Sequence, residues 1–370
     1  MIIPASAFPL AVSGAAITGA DGQPYRLCGV NWPGAHQDNR VAAGLDKLPR
    51  SEIIGRIVSW GMNHVRFPFA TGTLLNRDGT PFTSPVPLAR VAANPDLAGL
   101  TPWQLMQALV ADMTAAGLYV IVNNHLSYPG WCCSDADVNG LWHNDNWPAA
   151  VFTACWDTVA AAFGANPRVG YDLRNEPRSA VIGGVTVHPT WGDGNPATDF
   201  RRMYQATADR IRFTAPGCLV FCEGLSYATD LTGWAAHPVT GPGVVASLHD
   251  YSWFHPGGQA TSAYFDQMDR QGGYLRLSGT APVWVGEFGQ DLASRAAMTS
   301  GWMANFLAWA GARGVSWCWW SLSAQTVRGT EPGTGVLKAP DGNREGFGLM
   351  CGQDWKGTNA EMIALLQDII

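Results

Sequence analysis

Two hydrophobic periodicities alternate along nearly the whole chain. Short apolar runs rich in Val, Ile, Leu and aromatic residues predict buried strands. The stretches between them, with apolar residues every three or four positions, predict helices packed on those strands. Strands are expected at 26–31, 63–67, 119–123, 169–173, 219–222, 244–248, 283–285 and 315–319. Helices are expected near 50–60, 102–116, 147–164, 199–214, 260–272, 292–311 and 359–369, with a short one near 228–236. The stretch 102–116 carries the fullest set of signals: Thr101 as a cap, Pro102 in the first turn, Leu105, Leu109 and Met113 four apart, and Gly117 as the stop. The run LYVIVN that follows has no polar face and reads as a parallel strand covered on both sides. Ahead of the first strand, AITGADGQPYRL predicts a hairpin turning at Asp21 and Gly22.

Eight strand and helix units predict an α/β fold, a (β/α)8 TIM barrel with a short N-terminal β-hairpin. A bare barrel takes about 250 residues, so much of the 370-residue chain is left for the hairpin and for long segments at 68–100, 125–147, 177–198 and 321–356. These follow strands at the C-terminal face, where barrel active sites form. No Pro/Ser linker or low-complexity tract divides the sequence. Residues 1–370 therefore read as a single catalytic domain, with a barrel core at about 26–320 and a C-terminal loop and helix at 321–370. A two-domain Rossmann protein also alternates strands with helices, but no GxGxxG follows the first strand. A GxxxxGK[ST] loop and an HExxH helix are absent as well.

Composition narrows the partners. The 23 Lys and Arg against 29 Asp and Glu leave a net charge of −6, and no dense basic run marks a nucleic-acid or anionic-membrane surface. The 17 Trp are roughly three times an ordinary share, which predicts that some rings meet a flat ligand. No window is long and apolar enough for a transmembrane span. The start MIIPASAFPLAVSGAA lacks a signal-peptide pattern, so the expectation is secretion if a leader was removed and the cytoplasm otherwise. Eight Cys are too sparse for a disulfide scaffold; adjacent Cys132 and Cys133 lie in a polar loop from which they could reach distant partners, and the pairing is left open.

The candidate chemistry sits where apolar strands end in polar residues. Glu176 in VGYDLRNEP and Glu287 in APVWVGEFG each end an apolar strand, so both are expected at one barrel mouth. Two carboxyls with separated pKa values are what a glycosidase needs, one to protonate the leaving oxygen and one to attack the anomeric carbon. Capping or ion pairing is the plainer role for either Glu alone. Arg66, His125, His249 and Tyr251 end neighbouring strands. Arg66 is expected to hold Glu287 ionised through paired hydrogen bonds, with Tyr251 donating to the same carboxylate. Asn175 is placed to donate to a sugar hydroxyl beside the reacting carbon. Glu223, after LVFC, competes with these two for the acid or base role, though its default is capping or support. Metal binding by His125 and His249 is a rival, without a third ligand at recognisable spacing. In SWCWWSL, Trp317 and Trp319 share one strand face and Trp320 takes the other, towards the mouth, as a floor for a pyranose. Trp131, Trp142 and Trp147, in the loop after the third strand, are each either glycan-stacking rings or loop core.

With these residues in this order, the chain resembles glycoside hydrolase family 5, the cellulase-like retaining glycosidases, over about 26–320. The NEP motif appears as Asn175-Glu176-Pro177 and the nucleophile motif in VWVGEFG. The resemblance implies Glu176 as acid/base, Glu287 as nucleophile, and Arg66, His125, Asn175, His249, Tyr251 and Trp320 as substrate-binding and supporting residues, with no cofactor and no metal. SYPGWCCSDADVNGLW also looks like a loop of a cellulase-like branch known from fungal and plant chains. The implied activity is hydrolysis of β-linked glucans or related oligosaccharides, endo-β-1,4-glucanase-like. An exo-acting β-glucosidase, another β-glycosidase such as a glycolipid hydrolase, and a non-catalytic carbohydrate-binding barrel remain alternatives. The implied partner is a β-linked oligosaccharide, polysaccharide or glycoconjugate.

Overall fold

The computed structural model describes residues 2–134, 137–255, 259–290, 301–323, 347–352 and 354–370. Eight parallel strands close into a barrel: β1 (Cys28–Asn31), β2 (His64–Ala70), β3 (Tyr119–Leu126), β4 (Val169–Asp172), β5 (Val220–Glu223), β6 (Val244–Tyr251), β7 (Val283–Gly289) and β8 (Ser316–Trp319). Each expected strand is present, and β8 closes the circle on β1 with Trp317 opposite Cys28. Every residue of the eight strands is buried, as expected for strands covered by side chains within and helices outside.

The principal helices are α1 (Arg50–Ser59), α2 (Pro102–Ala115), α3 (Ala149–Phe163), α4 (Phe200–Thr214), α5 (Thr261–Met268), α6 (Gly301–Arg313) and α7 (Ala360–Gln367). In α2, Thr101 Oγ1 accepts the Gln104 N–H at 3.2 Å and Gln104 Oε1 accepts the Thr101 N–H at 2.9 Å, a reciprocal cap that satisfies two otherwise orphaned donors. Leu105, Leu109 and Met113 are fully buried, and Gly117 leaves the helix at φ 92°, where a side chain would be strained. The helix expected at 260–272 is interrupted: α5 gives way to a π-turn at Asp269–Gly273 and a further helical turn at Tyr274–Leu277. The start of the helix expected at 292–311 and most of the segment 321–356 lie outside the described residues.

Alternation along the strands separates two packed layers. Val120 and Val122 face outward to the helices, whereas Tyr119 and Ile121 face inward with Leu219, Phe221, Val245, Trp284 and Cys318. Ile3, Leu10 and Ile17 join the inner group, so the N-terminal segment plugs the lower mouth of the barrel. The hairpin gains an extra strand there, giving an antiparallel sheet of Ala11–Ser13, Ala16–Thr18 and Pro24–Tyr25. With apolar packing below, the upper mouth is left for polar side chains. No helix among the described residues is long and apolar enough to cross a membrane.

Candidate active site

Arg66, carried into the barrel by β2, organises the upper mouth. It is fully buried and divides its donors among five acceptors. Nε reaches Asp172 Oδ2 at 2.7 Å, one terminal nitrogen reaches Asn31 Oδ1 at 2.9 Å and Glu287 Oε1, and the other reaches Asn175 Oδ1 at 2.8 Å and Glu223 Oε1 at 3.0 Å. Burial works against its charge, but Asp172, Glu287 and Glu223 outweigh it and keep the guanidinium protonated. The expected paired bonds to Glu287 do not form: Glu287 receives one N–H from Arg66, because the fork is shared with the other acceptors.

Glu287 reaches the mouth through a bulge. Val285 and Phe288 both pack outward, and β7 spends one more residue between them than β8 spends between their partners Trp317 and Trp319. The extra residue turns Glu287 inward, where strict alternation from Trp284 would aim it at the helices. Gly286 permits the bulge, since a Cβ there would stand 2.9 Å from the Trp284 ring and 3.0 Å from His249 Nε2. Tyr251 donates its hydroxyl to Glu287 Oε2 at 2.9 Å, as expected. Burial raises the Glu287 pKa; His249, Arg66 and the Tyr251 hydroxyl pull it down without cancelling the rise, which corrects the expectation that Arg66 leaves it depressed.

Glu176 follows β4 in a left-handed turn, φ 46°, an uncommon state for a residue with a side chain. Its backbone N–H donates to Glu223 Oε2 at 2.6 Å, and its Oε1 lies 3.0 Å from His249 Nδ1. Burial pushes its pKa up to about 7, despite the cations Arg178 and Arg66. Burial holds His249 down to about 4 and His125 well below the usual imidazole range, so both rings are neutral at neutral pH. One carboxylate oxygen each of Glu176 and Glu287, with a nitrogen of His249, lie within 4.8 Å of one another.

These groups line a cleft of about 440 Å3. Trp320 forms part of its wall with His125 stacked on it at 5.6 Å between ring centres and 13° between planes, while Trp317 and Trp319 are packed outward. The loop tryptophans divide: Trp131 lines the cleft, but Trp142 and Trp147 are core. Glu223 is fully buried and serves Arg66 and Glu176 as a support.

Several contributors went unnoticed in the sequence. His36, in the loop after β1, packs its ring 4.4 Å from that of His125. Trp253 is 56% exposed on the rim and stacks on Tyr251 at 4.2 Å. Asn31 and Asp172 complete the partners of Arg66; a polar residue ending each apolar strand was the available signal. Cys132 and Cys133, whose pairing the sequence left open, are bonded to each other on the cleft wall. They therefore offer no thiolate to a metal beside His125.

An endoglucanase from Paenibacillus polymyxa is 27% identical over 331 residues, covering 83% of this chain and 78% of that one. A glycosyl hydrolase 5 family protein from Chamaecyparis obtusa is 27% identical over 342 residues, 86% of this chain and 59% of its own. The endocellulase of the archaeon Pyrococcus horikoshii superposes with a TM-score of 0.80 at 24% identity, over 98% of this chain and 99% of that one, a likeness of fold. The model of the cellulase family, glycosyl hydrolase family 5, matches residues 19–326, and the chain belongs to that family of glycoside hydrolases.

Proposed function

We propose that the protein is an endo-acting β-glucanase that cleaves with retention, with Glu287 as nucleophile and Glu176 as acid/base. The observation that carries this reading is the pair itself: two carboxylates from opposite sides of the barrel, with oxygens within 4.8 Å, in one cleft. Retaining glycosidases hold their carboxyls about 5–5.5 Å apart, whereas inverting ones leave about 6.5–9.5 Å for a water. The endoglucanase relative supports the choice of a β-glucan.

In the first step a Glu287 oxygen bonds to the anomeric carbon as the bond to the leaving oxygen breaks, and Glu176 gives that oxygen its proton. Glu176 then takes a proton from water, whose oxygen attacks the same carbon and releases Glu287. The raised pKa of Glu176 keeps its proton available near neutrality, while Arg66 and Tyr251 hold Glu287 oriented. Asn175 presents its amide to a hydroxyl of the reacting sugar, His125 and His249 flank it, and Trp320 lies beneath. No step needs a cofactor. The single-domain reading belongs to this proposal, supported by Met362 and Leu366 of α7 packing into the same core as the barrel.

The test is the configuration of the product. Proton NMR of freshly cleaved cellohexaose is expected to show the β-anomer first, with internal cleavage in reducing-end-labelled chains. Initial α-anomer would overturn retention, and release of single sugars alone would overturn endo action. Glu287→Gln is expected to abolish turnover while cellohexaose still binds.

A further inference from the structure

Cys132 and Cys133 are joined across a sequence separation of one residue. Such a bond closes the smallest loop a chain allows and so removes little unfolded-state entropy. It ties no two elements together. Its setting is local: both residues line the cleft with Glu176, Trp320 and His125.

The hydrogen bonds around the sulfurs assign donors and acceptors. Asn123 Nδ2 donates to Asp172 Oδ2 at 2.9 Å, which turns Asn123 Oδ1 towards His125 Nδ1, 2.8 Å away. Nδ1 of the neutral His125 ring therefore carries the hydrogen, and Nε2 is an acceptor. Nε2 lies 3.4 Å from Cys132 Sγ. On the other side Asn175 Oδ1 is taken by Arg66 at 2.8 Å, so its Nδ2 is a donor, and it points at Cys133 Sγ at 3.6 Å. A disulfide sulfur has no hydrogen to give His125 and accepts only weakly from Asn175. A thiol pair in the same place would donate S–H to Nε2.

We infer that the Cys132–Cys133 disulfide is a positioning element of the substrate site, which leaves the acceptor of His125 unspent and the donor of Asn175 only weakly engaged, both available to hydroxyls of the reacting sugar. This rests on the reading of Asn175, Glu176 and Glu287 given above. The bond also presents an apolar, hydrogen-free surface beside that sugar.

The experiment compares three forms of the full chain on p-nitrophenyl β-cellobioside. They are C132A/C133A, whose methyl groups neither donate nor accept, C132S/C133S, whose hydroxyls do both, and wild type reduced with a phosphine. Peptide mapping of unreduced and reduced samples reports the thiols, and circular dichroism confirms folding. The serine pair is expected to have a kcat roughly tenfold below that of the alanine pair, and the reduced enzyme roughly tenfold below oxidised wild type, the worth of one competing hydrogen bond. That loss is expected to shrink on a substrate lacking the hydroxyl beside the reacting carbon, a change that a merely structural role would not produce. Equal kcat for the alanine and serine pairs, an unchanged kcat after confirmed reduction, or alkylation of Cys132 and Cys133 in the unreduced chain would each overturn the inference. Retained activity in Glu176→Ala and Glu287→Gln would instead overturn the catalytic reading beneath it.

Discussion

The backbone N–H of Glu176 donates to Oε2 of Glu223 at 2.6 Å, so a fully buried carboxylate holds the turn that presents the cleft carboxylate. A left-handed non-glycine residue costs about 1–3 kcal/mol and persists only where its surroundings impose it. Glu223 contributes to that constraint while also accepting from Arg66. Glu223→Ala is expected to lower stability by about 3–5 kcal/mol, because it strips one partner from a buried ion-pair network. Glu223→Gln, which keeps an oxygen for the Glu176 N–H, is expected to lose less. Urea unfolding of the two variants beside wild type measures the difference.

The raised pKa of Glu176 gives the pH profile a direction. kcat/KM is expected to fall as pH rises through about 7, where the acid loses its proton, and to fall again on the acid side as Glu287 gains one. The two apparent values belong to the coupled pair. A rate still climbing at pH 9 would contradict the assignment.

The same shift links stability to pH. The proton on Glu176 is held more tightly in the folded chain, near 7, than at the ordinary value of 4.5. Its stabilising contribution is therefore complete below about 4.5 and lost as pH rises through about 7. Glu176→Gln is expected to be more stable than wild type at pH 8 by up to ~3 kcal/mol and to lose that advantage at pH 4. Thermal unfolding at the two values checks it.

Trp253 and Trp142 are expected to fail in different ways. Trp253→Ala removes an exposed ring stacked on Tyr251 and is expected to raise KM for cellohexaose roughly fivefold, equivalent to about 1 kcal/mol of stacking, with little loss of stability. Trp142→Ala empties a core position and is expected to cost about 3–5 kcal/mol of stability with no selective effect on KM. Oligosaccharide kinetics beside denaturation curves separate the two.

Tyr251→Phe deletes the hydroxyl that donates to Glu287 Oε2. A hydrogen bond to a charged group contributes about 1.5–3 kcal/mol, so kcat is expected to fall by roughly ten- to a hundredfold. Steady-state rates on p-nitrophenyl β-cellobioside measure it.

The eight strands, the capped α2 and the ring of polar strand endings were legible in the sequence, because strand burial, helix capping and alternation are set by neighbours a few residues apart. So was the split at β8, with Trp317 and Trp319 packed outward and Trp320 at the cleft. Contacts between distant segments were not legible. Alternation alone aims Glu287 outward; the bulge at Gly286, packed on Trp284 and His249, turns it in. Spacing does not reveal that Arg66 shares itself among Asp172, Glu223 and Glu287, so burial rather than a single ion pair decides the direction of the Glu287 pKa. Composition marked the tryptophans as a group, but only packing sorted Trp131 and Trp253 to the cleft and Trp142 and Trp147 to the core. Local chemistry set the elements and the supply of polar residues at one end of the barrel. Which of those residues meet, and what charge each carries, depends on distances and burial that exist only once the barrel has closed.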